Sequence, residues 1–340
     1  MGDKNILLDI IGNELTEDIF SNSIDDLLLL KKGIKINATH IELLQKHHVE
    51  PAFAVSLIKK SPVSINKSYT SLLMEVKEVF CNILQKKEDG IEELLAHFAQ
   101  VLELSLKDLS ILDIIHQDID SSNYIYQHSI NVGIISAIIG KILGLSKKEC
   151  HLLGQMGLFH DVGMLAVNPD ILQKEERLTQ TEYKEIQQHT FIGKSLLFSI
   201  TQLDILVSRT ALLHHETING KGYPNKRTEK DIPILIQIIT IADTFNSMCT
   251  NSYTQKKSYY EVINELINSA QSNILNPAIV IPFAQFIMNK QLFKKVKLTN
   301  NKIAEIIFIH QNDPHLPIVR VENEYLDLRL ASPIKISGSA

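Results

Sequence analysis

Seven histidine and aspartate side chains between residues 128 and 243 have the types and spacing of ligands to a pair of metal ions. A carboxylate inside an apolar helix is expensive to bury unless it is paired or metal-bound, and Asp243 lies in such a run, residues 238–248. Imidazole and carboxylate ligands together suit iron, manganese or zinc, and a carboxylate can bridge two ions that share a hydroxide. The candidate ligands are His128, His160, Asp161, His189, His214, His215 and Asp243.

Helices are predicted to position most of these ligands, because residues 120–275 have the pattern of a chain of helices. Residues 146–149 and 179–182 each have the Ser/Thr-x-x-Glu spacing of a capping box, which marks a helix start. The first of these helices is predicted to end at His160, and the second is predicted to carry His189.

The remaining elements follow from apolar spacing and from turn residues. They are a strand at 27–30, a helix at 39–47, helices across 62–115 with a loop at 86–90, a loop at 219–224, a helix at 232–248, and strands at 296–298, 303–309 and 318–321.

Each histidine also has an ordinary structural explanation. A single histidine on a helix is most often a polar or core residue, so His128 alone would not indicate a metal. The pair His47-His48 looks similar to His214-His215 but has no matching partners, and a solvated helix end explains it. The combination and order of the seven residues favour metal binding, because a plain helical scaffold would leave these ionisable groups in apolar helices without a reason.

The ordered motifs resemble the HD-GYP domain, a branch of the HD phosphohydrolase superfamily. Residues 127–132 (Gln-His-Ser-Ile-Asn-Val) resemble its first metal-histidine segment, and residues 158–163 (Leu-Phe-His-Asp-Val-Gly) its His-Asp signature. Residues 178–189 resemble the following helix, residues 214–224 the His-His-Glu and Gly-Tyr-Pro signatures, and Ala242-Asp243 the last metal aspartate. The resemblance is specific, because the set agrees both in residue type and in order along the chain.

The resemblance implies a bacterial enzyme that hydrolyses cyclic di-GMP to linear pGpG and, in some members, on to GMP. The attacking group would be a hydroxide bridging two ions, with Asp161 as the catalytic residue that holds both. The family pattern assigns one ion to His128, His160, Asp161 and Asp243, and the other to His189, His214 and His215. Tyr124 stands where members with a third ion have a glutamate, so two divalent ions, iron or manganese, are expected.

The fold class that follows is mainly α. We expect an all-helical HD-type metal-binding domain over residues 116–275, preceded by an α+β or helical accessory domain over residues 1–115. A small β-rich extension is expected over residues 276–340.

The resemblance also indicates substrate and protein contacts. The predicted substrate-binding residues are Gly222, Tyr223, Pro224, Asn246 and Lys257. In this family the Gly-Tyr-Pro loop is also implicated in contacts with diguanylate-cyclase domains. The predicted helices are compatible with a homodimer, although no sustained heptad repeat demands one.

Several departures from the family pattern fall on substrate-handling positions. Met164 replaces the lysine of His-Asp-x-Gly-Lys, and a thioether cannot donate a charged hydrogen bond to phosphate. Asn246 replaces an aspartate, and residues 251–254 lack the expected arginine, for which Lys256 or Lys257 could partly substitute. Two hypotheses therefore stay open: a phosphodiesterase, or a weak or inactive module that binds metal or cyclic di-GMP and signals through protein partners.

Composition excludes several other classes. The 340 residues are 44% hydrophobic and 21% charged, which are ordinary globular values. The 34 basic and 39 acidic residues give a net charge of −5, which disfavours a nucleic-acid polymer as partner. No apolar run reaches the roughly 18 residues that span a membrane, and three widely spaced cysteines suit a reducing compartment. We therefore expect a cytoplasmic protein.

Overall fold

A computed structural model shows a mainly helical protein with a small antiparallel sheet near its C-terminal end, which confirms the predicted fold class. The structure describes residues 14–21, 27–34, 36–47, 49, 58–59, 62–107, 123–172, 174, 176–250, 257–331 and 333–339. The chain divides into two compact units, residues 1–69 and 70–340. The predicted domain boundary between residues 115 and 116 lies outside the described residues.

Short strands and a short helix form the described part of the first unit up to residue 59. Its described elements are β1 (Glu14–Leu15), β2 (Ile19–Phe20), β3 (Leu28–Leu30), α1 (Ala38–Lys46) and β4 (Ile58–Lys59). β1 pairs with β4 and β2 pairs with β3, both antiparallel. Helix α1 begins after Asn37, whose side chain accepts a hydrogen bond from the backbone N–H of His40. The predicted strand at 27–30 and helix at 39–47 are thus confirmed.

Helices predominate among the described residues between 62 and 289. In chain order they are α2 (Pro62–Leu84), α3 (Ile91–Lys107), α4 (Tyr124–Ile142), α5 (Lys147–Phe159), α6 (Pro169–Leu172), α7 (Gln180–Gln187), α8 (His189–Phe198), α9 (Ile205–Leu213), α10 (Ile234–Thr250), α11 (Tyr259–Gln271) and α12 (Pro277–Asn289). The 3₁₀ helices Val162–Ala166 and Glu229–Asp231 also lie in this described part of the chain. Among the described residues, none of these helices is both long and apolar enough to cross a bilayer.

The contact between α4 and α5 brings two predicted ligands side by side. A methyl group on Gly157 would lie 2.7 Å from the Cα of Gly133, so the backbones of the two helices touch. His128 lies near the start of α4 and His160 directly follows α5, and their ring centroids are 5.2 Å apart. Small residues at this crossing therefore position two ligands from different helices.

The structure does not place His189 on the helix that was predicted to carry it. A capping box of Thr179 and Glu182 opens α7 as predicted, but α7 ends at Gln187 and His189 begins a new helix. The His189 ring accounts for part of the break, because its Nδ1–H donates a hydrogen bond to the backbone carbonyl of Ile186 at 2.6 Å. The prediction of one continuous helix was therefore wrong, since local spacing did not reveal this side-chain bond.

Five strands form the C-terminal sheet. They are β5 (Lys295–Leu298), β6 (Ile303–Phe308), β7 (Ile318–Val321), β8 (Glu324–Asp327) and β9 (Ile336–Ser339). The order is β8-β7-β6-β5-β9, with antiparallel pairing throughout. The three predicted strands are confirmed, and β8 and β9 were missed. The segment predicted to be β-rich opens with a helix, since Asn276 caps α12 and Pro277 occupies its first turn.

Candidate metal centre

The seven predicted ligands lie together in the second unit and form two groups. Within each group, the ligand atoms all lie within 4.8 Å of one another. One group is Asp161, His189, His214 and His215, and the other is His128, His160 and Asp243. The side chains come from the start of α4, the ends of α5 and α9, the start of α8 and the middle of α10. Only the folded chain can assemble such a centre, and its His/Asp clusters could hold metal ions.

Asp161 lies between the histidines of the two groups, and each of its carboxylate oxygens faces a different set of histidines. Oδ1 lies 3.3 Å from Nε2 of both His189 and His214. Oδ2 lies 3.5 Å from Nε2 of His160 and 3.8 Å from Nε2 of His128. This is the position that a carboxylate bridging two ions requires.

Asp243 completes the second group from helix α10. Its Oδ1 lies 3.1 Å from Nε2 of His128 and also accepts a hydrogen bond from the Ser247 hydroxyl at 3.0 Å. Its Oδ2 lies 4.0 Å from Nδ1 of His215, which belongs to the first group. Asp243 is therefore oriented by its own helix while facing both groups.

Hydrogen bonds at Nδ1 orient four of the five histidines. In His160, His189 and His214 this nitrogen donates to a backbone carbonyl three or four residues earlier, at 2.6–3.0 Å. In His128 the acceptor is the side-chain oxygen of Asn246, at 2.8 Å. A ring that donates from Nδ1 carries its lone pair on Nε2, so four Nε2 atoms are prepared as ligands.

The charges of the centre also suit a cation. Burial opposes ionisation of Asp161, but the histidines around it hold its pKa well below the usual value. Burial lowers the pKa of His160 to about 4, and burial together with the nearby His214 lowers the pKa of His215 well below its usual value. The ionised carboxylate of Asp161 therefore lies beside the neutral imidazoles of His160 and His215. The pKa values of His128 and His189 are raised, against the effect of their burial, by hydrogen bonds to Asp243 and Asp161 respectively.

His160 provides the clearest sign that a further group belongs in the centre. Its side chain is fully buried, and its Nε2 has no hydrogen-bond partner within the part of the chain that the structure describes. A buried polar nitrogen without a partner is uncommon and costly, and a metal–nitrogen bond would satisfy it. The residues present thus fit a pair of divalent cations bound by imidazole and carboxylate.

The centre is open on the side of His215. The His215 side chain is 29% exposed and that of Asp161 is 15% exposed, whereas those of His160 and His214 are fully buried. The ligands are therefore accessible from solvent on the His215 side, while the inner side is closed to water.

The loop at residues 219–224 packs against this open side. The Tyr223 ring stacks on the His215 ring with centroids 4.6 Å apart, and the Tyr223 backbone N–H donates to the His215 carbonyl at 3.2 Å. A Cβ on Gly222 would lie 2.4 Å from that same carbonyl oxygen, so only glycine permits this approach. The peptide between Tyr223 and Pro224 is cis. The loop thereby places a tyrosine against the most exposed ligand.

Glu216 holds the chain that follows this loop. Its carboxylate is buried, and its two oxygens accept hydrogen bonds from the backbone N–H groups of Asn225 at 2.7 Å and Arg227 at 2.8 Å. Hydrogen bonds between a buried carboxylate and backbone donors are among the stronger ones in proteins. Glu216 therefore connects the loop to the segment that carries His214 and His215.

Replacing Glu216 by glutamine is expected to destabilise the second unit by roughly 1.5–3 kcal/mol. The amide would turn an N–H donor toward one of the two backbone N–H groups and leave that group without an acceptor. Urea unfolding and the rate of proteolytic cleavage within residues 219–227 measure the change. The exposed Glu185→Gln is the matched control, and equal behaviour of the two variants would refute this role of Glu216.

Asn246 lies behind the centre rather than at its opening. The residue is fully buried, and its side-chain oxygen orients the ring of His128. Its Nδ2 has no hydrogen-bond partner among the described residues. The substrate contact predicted for Asn246 stays a prediction, and its burial on the closed side gives it no support.

Other predicted substrate positions lie nearby or outside the described residues. Lys257 Nζ lies 3.5 Å from Glu265 Oε1, and its predicted contact with substrate remains untested. Residues 251–254 and Lys256 lie outside the described residues. Met164 is half-buried in the 3₁₀ helix that directly follows Asp161, so a longer charged side chain at this position would start beside the centre.

Three polar residues support the centre in ways that the sequence analysis did not predict. Tyr124 stacks on His128 with centroids 5.5 Å apart and nearly parallel rings, so it packs on a ligand. The Ser247 hydroxyl donates a hydrogen bond to the Asp243 carboxylate, and the Thr240 hydroxyl donates one to the His214 carbonyl at 2.8 Å. The serine and threonine lie about one helical turn from Asp243 in the sequence, and this spacing could have indicated their contact with the centre. Hydroxyl residues at that spacing are common in helices, so the spacing alone is not specific.

Comparison with known sequences identifies the family of this chain as the HD domain family. Its sequence model matches residues 80–279, which is more than half of the chain and includes all seven candidate ligands. The protein therefore belongs to the HD domain family, and the resemblance predicted from the motifs is confirmed.

Individual relatives agree with this family. The cyclic di-GMP phosphodiesterase PdeB of Borreliella burgdorferi is 29% identical over 201 residues, which are 58% of this chain and 52% of that protein. A cyclic di-GMP phosphodiesterase of Thermotoga maritima is 30% identical over 188 residues, which are 55% of this chain and 50% of that protein. The chain spans about half the length of these curated relatives.

A solved structure shares the fold. Bd1817, described as an HDG"Y"P protein from Bdellovibrio bacteriovorus, matches 82% of this chain and 96% of its own, with a TM-score of 0.56 and 16% sequence identity. At this identity the likeness concerns the fold alone.

Proposed function

We propose that this protein is a metal-dependent phosphodiesterase that hydrolyses cyclic di-GMP to linear pGpG. The observation that carries the proposal is the position of the Asp161 carboxylate, whose two oxygens lie 3.3–3.8 Å from four histidine Nε2 atoms. The relatives named cyclic di-GMP phosphodiesterases support the choice of substrate.

The ligands divide between two ions, for which we favour iron or manganese. His128, His160 and Asp243 would hold one ion, His189, His214 and His215 would hold the other, and Asp161 would bind both. When bound, such ions supply Lewis acidity toward phosphoryl oxygens and a water nucleophile at neutral pH.

The protein's own residues orient and shield this chemistry. The Nδ1 hydrogen bonds keep the four rings in place before substrate arrives, so little reorganisation is needed during the reaction. Burial of His160 and His214 closes the inner side, where charges interact more strongly than in water. Tyr223 borders the open side, where a phosphodiester enters next to Asp161.

The first experiment combines two measurements on anaerobically purified full-length protein. Elemental analysis counts the bound metal, and chromatography separates the products after incubation with cyclic di-GMP. About two iron or manganese ions per chain and the appearance of pGpG are expected. A full metal load with intact cyclic di-GMP would contradict hydrolysis and favour the second candidate function.

The second candidate is a metal-loaded module that binds cyclic di-GMP with little turnover and signals through a protein partner. Met164 favours it, because this residue follows Asp161 by three positions and its thioether cannot donate to phosphate. Loss of one charged contact costs about 2–4 kcal/mol in the transition state, or roughly 10²–10³ in rate. In this case Gly222-Tyr223-Pro224 is the candidate surface for a diguanylate-cyclase domain.

Replacing Met164 by lysine separates the two candidates. The added ammonium group can contact a phosphoryl oxygen, so we expect kcat for cyclic di-GMP to rise by roughly 10- to 100-fold. Ala166→Lys is the matched control, because it adds the same charge at an exposed position of the same 3₁₀ helix. A rate that rises equally in both variants, or in neither, would show that the missing lysine does not limit hydrolysis.

A further inference from the structure

Aromatic rings extend outward from the open side of the metal centre. We call His215, Tyr223 and Tyr183 the aromatic row. Tyr223 stacks on His215 with centroids 4.6 Å apart, and the Tyr183 ring meets Tyr223 edge-on at 6.3 Å. His215 is the most exposed of the metal ligands, so the row starts where a substrate enters. Tyr183 is 49% exposed, which leaves much of its ring available to a ligand.

The backbone of Tyr183 is fixed at the start of a helix although its side chain is exposed. Tyr183 lies in the first turn of α7, and its backbone N–H donates to the Thr179 carbonyl at 2.9 Å. The preceding residue, Glu182, accepts hydrogen bonds from the Thr179 backbone and hydroxyl and pairs with Lys174 at 2.8 Å. An aromatic ring on a fixed helix start loses little conformational freedom on binding, which favours recognition of a flat ligand.

Resting on the proposed function, we infer that Tyr183 determines specificity by stacking on a nucleobase of the cyclic dinucleotide while its phosphodiester lies at the metal centre. In a nucleotide the base extends away from the phosphate, as the aromatic row extends away from the ligands. Every base has a π face, and aromatic side chains bind it without needing base-specific hydrogen bonds. Tyr183 would therefore select nucleotide diesters over diesters that lack a base.

A purely structural role predicts a different result. If Tyr183 only supports Tyr223, its removal would disturb Tyr223 and His215 and would impair every diester alike. The test therefore compares cyclic di-GMP with bis(2,2,2-trifluoroethyl) phosphate, a synthetic diester that has no aromatic ring. Metal-loaded full-length protein is used with Tyr183→Ala, Tyr183→Phe and the control Phe198→Ala, which removes an exposed ring at the opposite end of α8 from His189.

Tyr183→Ala is expected to raise KM and the binding Kd for cyclic di-GMP by about tenfold and to leave hydrolysis of the synthetic diester unchanged. Tyr183→Phe keeps the ring and should restore KM, and Phe198→Ala should match the wild type. Equal losses on both diesters, or an unchanged KM in Tyr183→Ala, would overturn the inference while the proposed function stands. A wild-type protein that hydrolyses the synthetic diester but neither binds nor hydrolyses cyclic di-GMP would refute the proposed substrate and this inference with it.

Discussion

Replacing Asp161 by alanine should empty both metal positions and lower hydrolysis of cyclic di-GMP by at least about 10³-fold. The reason is geometric, since each oxygen of this one carboxylate faces a different group of histidines. Its removal also takes away one of the two carboxylates whose negative charge favours a divalent cation, leaving Asp243 alone. Elemental analysis after gel filtration measures the loss of metal, and product chromatography measures the loss of activity.

The control for this variant is Asp170→Ala, which removes an exposed carboxylate from α6 in the same segment of chain. It should retain the wild-type metal content and activity. Circular dichroism of Asp161→Ala should stay helical, because α5 and α9 remain packed. Full metal content in a folded Asp161→Ala protein would show that the ligand assignment is wrong.

Replacing Gly163 by alanine is expected to destabilise the second unit by about 3 kcal/mol or more and to reduce metal binding. A Cβ at this position would lie 2.0 Å from the carbonyl oxygen of His189 and 2.7 Å from the backbone nitrogen of Gly193. Both atoms belong to the backbone of α8, so no flexible side chain can move aside. The strain would push α8 from the 3₁₀ helix and so separate His189 from Asp161.

Urea unfolding and metal titration test this variant. Gly338→Ala is the matched control, since an added Cβ there meets no atom within 4 Å. It should unfold at the same urea concentration as the wild type. If Gly163→Ala had wild-type stability and metal affinity, the close approach of α8 to this turn would not be what brings His189 to Asp161.

The sequence alone determined the identities of the candidate ligands and most of the helices that hold them. Capping boxes are local patterns, and the box at Ser146 and Glu149 is present with both of its hydrogen bonds. The apolar run that became α10 likewise predicted a helix from spacing within the segment. These predictions succeeded because the atoms that stabilise a helix start or a helix face are close together in the chain.

The tertiary structure decided which atoms of those ligands meet and what holds them. His128 is oriented by Asn246, 118 residues away in the chain, and no local pattern connects the two. The break before His189 likewise involves a ring-to-carbonyl bond that apolar spacing does not report.

The same reason explains the parts of the site that sequence reasoning did not find. Glu216 was visible as part of a motif, but its hydrogen bonds to the backbone of Asn225 and Arg227 depend on how the loop folds back. Tyr183 had no distinguishing neighbour in sequence, and only the packing of α7 near the loop places it beside Tyr223. Residue type and local spacing determine which groups are available for chemistry, whereas long-range packing determines which of their atoms face one another and which side admits a substrate.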